Sequence, residues 1–173
     1  MDPRLDSIRQ IIDLNTWLLH NCLDGVDDAL ANRRLTPDTN SLAFLAAHLT
    51  DSRHFICKRG GREFPHPLGD ALEQRKTLDE LGPLPPLTKI VAAWGTVSDE
   101  LKALLQSLDA EALARPAYKF PGSDGTLFGM LSFLTQHDSY HVGQMSILRR
   151  QLGLPAMTYK KDLGPRTQDL VTP

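Results

Sequence analysis

Apolar side chains recur along this chain at helical spacing, and there is almost none of the alternation that a half-buried strand requires. Over residues 3–22, Leu5, Ile8, Ile12, Asn15, Leu19 and Cys22 follow one another by three or four positions. They mark one core stripe of a helix, with a single polar residue, Asn15, in its middle. Gly25 weakens that helix, a shorter piece is expected over residues 26–30, and Thr36-Pro37-Asp38 reads as a turn. A second helix is expected from a cap at Asn40 or Ser41 to Arg59, where Gly60-Gly61 stops it. Its stripe is Leu42, Leu45, Leu49, Ser52 and Ile56, with His48 and Phe55 beside it. A third spans about residues 87–108, where Ile90, Trp94, Val97, Leu101, Leu104 and Leu108 form a heptad-like seam. The fourth starts near Thr126 and ends at Gly153, just ahead of Leu154-Pro155.

Two segments interrupt this pattern. Residues 60–86 and 109–125 are rich in proline and glycine and are too long for tight hairpins, so each is expected to cross over along the molecule. A short exposed helix is expected over residues 71–81. Four amphipathic helices, each with one apolar face, are satisfied most simply by an all-α four-helix bundle with long crossover connections. The bundle domain is expected to occupy residues 1–153, with a tail over 154–173 that wraps the surface or frays.

Composition narrows the function. A length of 173 residues suits one domain, and 41% apolar content is ordinary for a globular chain. A net charge of −2 argues against a nucleic-acid partner, which a basic excess would advertise. Two cysteines exclude a disulfide scaffold, and Cys22, on an apolar stripe, reads as a buried structural thiol. Neither a signal segment nor an apolar run of membrane-spanning length is apparent, so a cytoplasmic location without membrane partners is expected. No phosphate-binding glycine loop, nucleophile elbow or Glu-x-x-His pair of a di-iron bundle occurs.

Six histidines carry the chemical question. On the fourth helix the inward stripe reads Met130, Leu134, His137, His141, Met145, Leu148 and Leu152, so two imidazoles stand where a bundle expects leucine. Four residues are about one turn, and both rings project to one side. Composition alone predicts about 0.2 such pairs by chance. Two unpaired imidazoles in a core cost on the order of several kcal/mol unless hydrogen bonds or a metal satisfy them. Two readings stay open: core histidines bonded to Asn15, Ser52 or each other, and a metal pair. His48 offers a third nitrogen from the second helix and would complete a facial site with open positions. Asp51, one turn after His48, and Gln144, three residues after His141, are candidates to orient the ligands, or else face solvent. Asp138 and Tyr140 flank the pair and read as helix surface or seam. His20 reads as structural, His54 lies about 120° from the site on the helical wheel, and His66 between two prolines is a loop residue.

The segment His137-Asp138-Ser139-Tyr140-His141-Val142-Gly143-Gln144, followed by Leu148-Arg149-Arg150-Gln151-Leu152-Gly153, resembles the last helix of the DinB-like (YfiT-like) superfamily. Ser41-Leu42-Ala43-Phe44-Leu45-Ala46-Ala47-His48-Leu49 is similar to the family's second helix. The resemblance covers roughly residues 5–153. It implies a four-helix bundle, usually a homodimer, with a divalent metal (nickel, zinc, manganese or iron) on three histidines, here His48, His137 and His141. It also implies a small-molecule substrate, and in some relatives a low-molecular-weight thiol used by transferases or isomerases. The tail after Gly153 and the proline-rich segment depart from the family pattern.

Two functions are therefore expected as rivals. The first is a metal-dependent transferase or hydrolase in which the metal activates water or a thiol, with Asp51 a candidate base. The second is a non-catalytic metal-binding or stress-response protein whose histidines stabilise the bundle.

Overall fold

A computed structural model of the chain describes residues 2–69 and 83–159. Among the described residues there are four long helices, α1 (Leu5–Leu23), α3 (Leu42–Gly60), α4 (Leu87–Ser107) and α6 (Leu127–Gln151), with five-residue helices α2 (Asp28–Asn32) between α1 and α3 and α5 (Ala110–Ala114) between α4 and α6. The fold is all-α. Among the described residues the one β-type pairing is an isolated bridge between Pro116 and Thr126. No helix among them is long and apolar enough to cross a membrane. The expected helix over 71–81 and residues 160–173 of the expected tail lie outside the described residues.

The helix ends follow local chemistry. Ser41 caps α3 by accepting from the Phe44 N–H, and Thr126 caps α6 by accepting from the Gly129 N–H. Asp27 and Asp109 do the same for α2 and α5. The α5 turn lies inside the segment expected to be a plain crossover. Its signal was Asp109 ahead of Ala110-Glu111-Ala112, too short a run for apolar periodicity to register. At the other end of α3, Gly61 closes the helix at φ +96°, a left-handed conformation that favours glycine.

In cross-section the long helices form a ring: α1 packs on α4 and α6, and α3 packs on the same two. The stripes of α1 and α4 are buried as expected, from Leu5 to Cys22 and from Ile90 to Leu108. The α3 helix is not one-faced. Leu42 through Ala47 are all buried, as are Thr50, Arg53, His54 and Cys57. Small residues at Ala43, Ala46 and Ala47 let neighbours approach from several sides. Gly60 sits so close to α4 that an added Cβ would fall 2.4 Å from Leu104 Cδ2.

At the centre lies a charged residue. Arg53 is fully buried and reaches all three other long helices. Its Nε donates to Asp138 Oδ2 on α6 at 2.8 Å, and its Nη1 donates to Thr16 Oγ1 on α1 and Ser98 Oγ on α4 at 2.6 and 2.7 Å. Nη2 donates to the Ile12 carbonyl, and the guanidinium stacks on Trp94 at 3.8 Å. Burial works against both charges, raising the Asp138 pKa and lowering that of Arg53, and the direct ion pair opposes both shifts.

This pair corrects the sequence reading of α6. Of the two readings of Asp138, surface or seam, the structure has the seam: it is 1% exposed and bonded to Arg53 of α3. Met130, Leu134 and Met145 of the expected stripe are buried, but Leu131, Thr135, Asp138, Val142 and Arg149 are buried beside them, so past Leu134 the buried face is displaced from the apolar stripe. Arg149 is also inside, donating to the Cys22 and Asp24 carbonyls at the end of α1. The described part of the tail is packed against the bundle. Arg149 Nε donates to the Pro155 carbonyl, Asn21 Nδ2 to the Thr158 carbonyl, and Met157 Sδ lies 3.3 Å from Cys22 Sγ.

Candidate metal centre

The displaced buried face of α6 past Leu134 leaves its two histidines at the margin of the core. His137 and His141 are half-buried, not replacements for core leucines, and His48 on α3 is half-buried opposite them. The three rings converge through their Nε2 atoms. His48 Nε2 lies 3.2 Å from His137 Nε2, and His141 Nε2 lies 3.1 Å from the same atom. The His48 and His141 ring centres are 4.9 Å apart and nearly perpendicular. One nitrogen from each residue falls within 4.8 Å of the other two. Phe44, one turn before His48, lies parallel to its ring at 6.0 Å.

The proton positions follow from the outer contacts. Gln144 Nε2 donates to the Tyr140 hydroxyl at 3.1 Å, which leaves Gln144 Oε1 as the acceptor facing His141 Nδ1 at 2.6 Å. His141 therefore carries its proton on Nδ1 and presents a bare lone pair at Nε2. Burial, then the neighbouring His141 and His48, pushes the His137 pKa down to about 4, so this ring is neutral near pH 7. One N–H on His137 Nε2 cannot serve both close contacts with good geometry. At least one of the two contacts is then left without a well-formed hydrogen bond.

A cation resolves that conflict. Neighbouring imidazole ligands on bonds of about 2.0–2.1 Å stand roughly 3.0–3.4 Å apart, which brackets the two N···N distances in this cluster. Three neutral nitrogens are a borderline donor set that suits zinc, nickel, iron and manganese and leaves coordination positions for non-protein ligands. The residues present fit a divalent metal.

Other expected participants are placed elsewhere. Asn15 is buried and donates to Ser139 Oγ at 2.9 Å, not to a histidine. Asp51 faces His66, with 3.5 Å between Oδ1 and Nε2, so its recorded partner is the 61–69 loop. His66 is in a loop as expected, yet its side chain is buried and its ring packs on His54 at 4.6 Å. His54 is tied to the Phe64 carbonyl at 2.8 Å, and His20 is exposed. Both cysteines are buried, and burial pushes each thiol up to about 12, which makes them poor nucleophiles. Sequence reasoning missed Arg53, because the helical wheel gives no sign that its partner lies 85 residues away. A surface cleft of about 260 Å³ reaches Gln144, the partner of His141, and is bounded also by Leu45, Leu148 and Ile147 and by Asp38, Thr39 and Asn40 of the α2–α3 loop.

Comparisons with known proteins bear on this arrangement. The family model for the DinB superfamily matches residues 12–145. The fold is similar to a DinB-like protein from Bacillus cereus, with TM-score 0.66 and 22% identity over 89% of this chain and 96% of that one. It is also similar to a DinB-like protein from Bacillus subtilis, with TM-score 0.63 and 14% identity over 88% and 96% of the two chains. No curated protein sequence matches the chain.

Proposed function

The chain belongs to the DinB superfamily, and on that premise we propose that it is a metal-dependent enzyme acting on a small molecule, as a homodimer. His48, His137 and His141 hold a divalent cation, and the reaction is transfer of a low-molecular-weight thiol or hydrolysis. The observation that carries this reading is the convergence of three Nε2 atoms from two helices, with 3.1 and 3.2 Å separating His137 from its neighbours. When bound, the cation supplies a Lewis acid able to lower the pKa of water or a thiol and to polarise a carbonyl.

The chain's own residues supply the rest. Gln144 fixes the His141 tautomer and ring plane, and Tyr140 in turn holds the Gln144 amide. The cleft beside Gln144 offers a mixed apolar and polar wall to a small substrate. Asp51 Oδ1 lies 3.5 Å from His66 Nε2 in the 61–69 loop.

The test is a comparison of chelator-treated protein with protein reloaded by each of the four metals. Each form is assayed for transfer of small thiols to electrophiles and for ester and amide hydrolysis. Turnover is expected after reloading with at least one metal and is lost in His137→Ala. Turnover that survives chelation and the His137→Ala change would overturn the proposal.

A further inference from the structure

Two polar atoms beside the histidine cluster are buried and lack hydrogen-bond partners: Ser52 Oγ on α3 and His137 Nδ1 on α6. Ser52 is 93% buried by the measure of its 7% exposure. Its place follows from the pairing of the two helices. His48 meets His137 and His141, and five residues further along α3 Arg53 meets Asp138. Ser52 follows His48 by one turn on the same side of α3, so helix periodicity sets it at about the level of His137 across the seam, and the two side chains are not hydrogen-bonded to each other in this structure.

The two atoms are chemically complementary. If His137 gives its Nε2 lone pair to a cation, its proton must sit on Nδ1. That N–H is then a buried donor that needs an acceptor, since a buried donor left unpaired carries its full desolvation penalty. Gln144 Oε1 already fills this place for His141. Asp138 Oδ1 is also buried and unbonded, but Asp138 is the next residue along α6 and projects about 100° around the helix toward Arg53. The serine hydroxyl accepts with either lone pair and can still rotate its own proton away.

We propose that Ser52 is the positioning residue of His137: its hydroxyl accepts the Nδ1–H and locks the tautomer that presents Nε2 to the metal. This rests on the metal-centre reading above. It gives each α6 histidine its own outer partner, an amide oxygen for His141 and a hydroxyl from the facing helix for His137. Loss of such partners typically weakens metal affinity by roughly 10–100-fold.

The experiment compares wild type, Ser52→Ala and Ser52→Thr, using zinc as the probe. Affinity is read by competition with a chromogenic chelator, and the imidazole N–H protons of the zinc-loaded proteins are observed by ¹⁵N-edited NMR. The expected result is a hydrogen-bonded Nδ1–H signal for His137 in wild type that shifts or exchanges away in Ser52→Ala, while the His141 signal stays. Zinc affinity falls by about tenfold or more in Ser52→Ala and recovers in Ser52→Thr. A Ser52→Ala protein with lower melting temperature but unchanged affinity and unchanged His137 signal would overturn the assignment and leave the metal centre standing. A folded wild type that takes up no zinc and none of the other three metals would overturn both.

Discussion

At the scale of single residues, the Arg53–Asp138 pair decides where the histidines point. Asp138 is next to His137 and three residues before His141, so the contact that turns Asp138 inward turns both histidines toward the rim. A buried ion pair is not by itself a strong stabiliser, but leaving one member alone is costly. Asp138→Ala is expected to lower stability by roughly 3–5 kcal/mol, because Arg53 would keep its charge at the bundle centre without its carboxylate. Urea unfolding followed by circular dichroism reads this directly. A loss below about 1 kcal/mol would mean that the hydroxyls and the Ile12 carbonyl suffice for Arg53. This pair also shows why the apolar stripe misplaces the buried face in the second half of α6, past Leu134. A hydropathy pattern counts Asp138 and Arg149 as surface, whereas both are buried against partners from distant segments. The histidine spacing survives the error, since residues four apart share a side at any phase.

At the scale of elements, local signals were the most legible. Ser41, Thr126, Gly61 and Gly153 mark helix ends through capping oxygens and left-handed glycines, and these act within a few residues of sequence. The breadth of burial on α3 was less legible. Alanine is a weak hydrophobic signal, and what decides the burial of Ala43, Ala46 and Ala47 is how closely neighbours approach. Gly61 offers a clean measure of the local part. A Cβ there meets nothing within 4 Å, so Gly61→Ala isolates the backbone cost of φ +96°. The expected loss is about 1–2 kcal/mol with zinc affinity unchanged, measured by unfolding and chelator competition on the same samples. A neutral substitution would show that the end of α3 refolds without strain.

At the scale of the whole molecule, the ring of four helices explains how histidines far apart in sequence meet. The α3 and α6 helices are neighbours in the ring, and His48 and His137, 89 residues apart, face each other across their seam. Membership in the DinB superfamily and the matching folds place this arrangement in a known architecture. The outer partners were legible in part. Gln144 could be read from its spacing to His141, whereas the approach of His66 to Asp51 depends on the 61–69 loop and has no local signal. A metal that binds the folded protein must also stabilise it in proportion to its affinity, so the site is coupled to the fold as a whole.

The central claim is that the three histidines hold one divalent ion. Elemental analysis of purified wild type beside His48→Ala, His137→Ala and His141→Ala, each checked for helical content, tests it most directly. The account predicts about one divalent ion per chain in wild type and most of it lost in every variant while the helices remain. Metal content unchanged in the variants would contradict it.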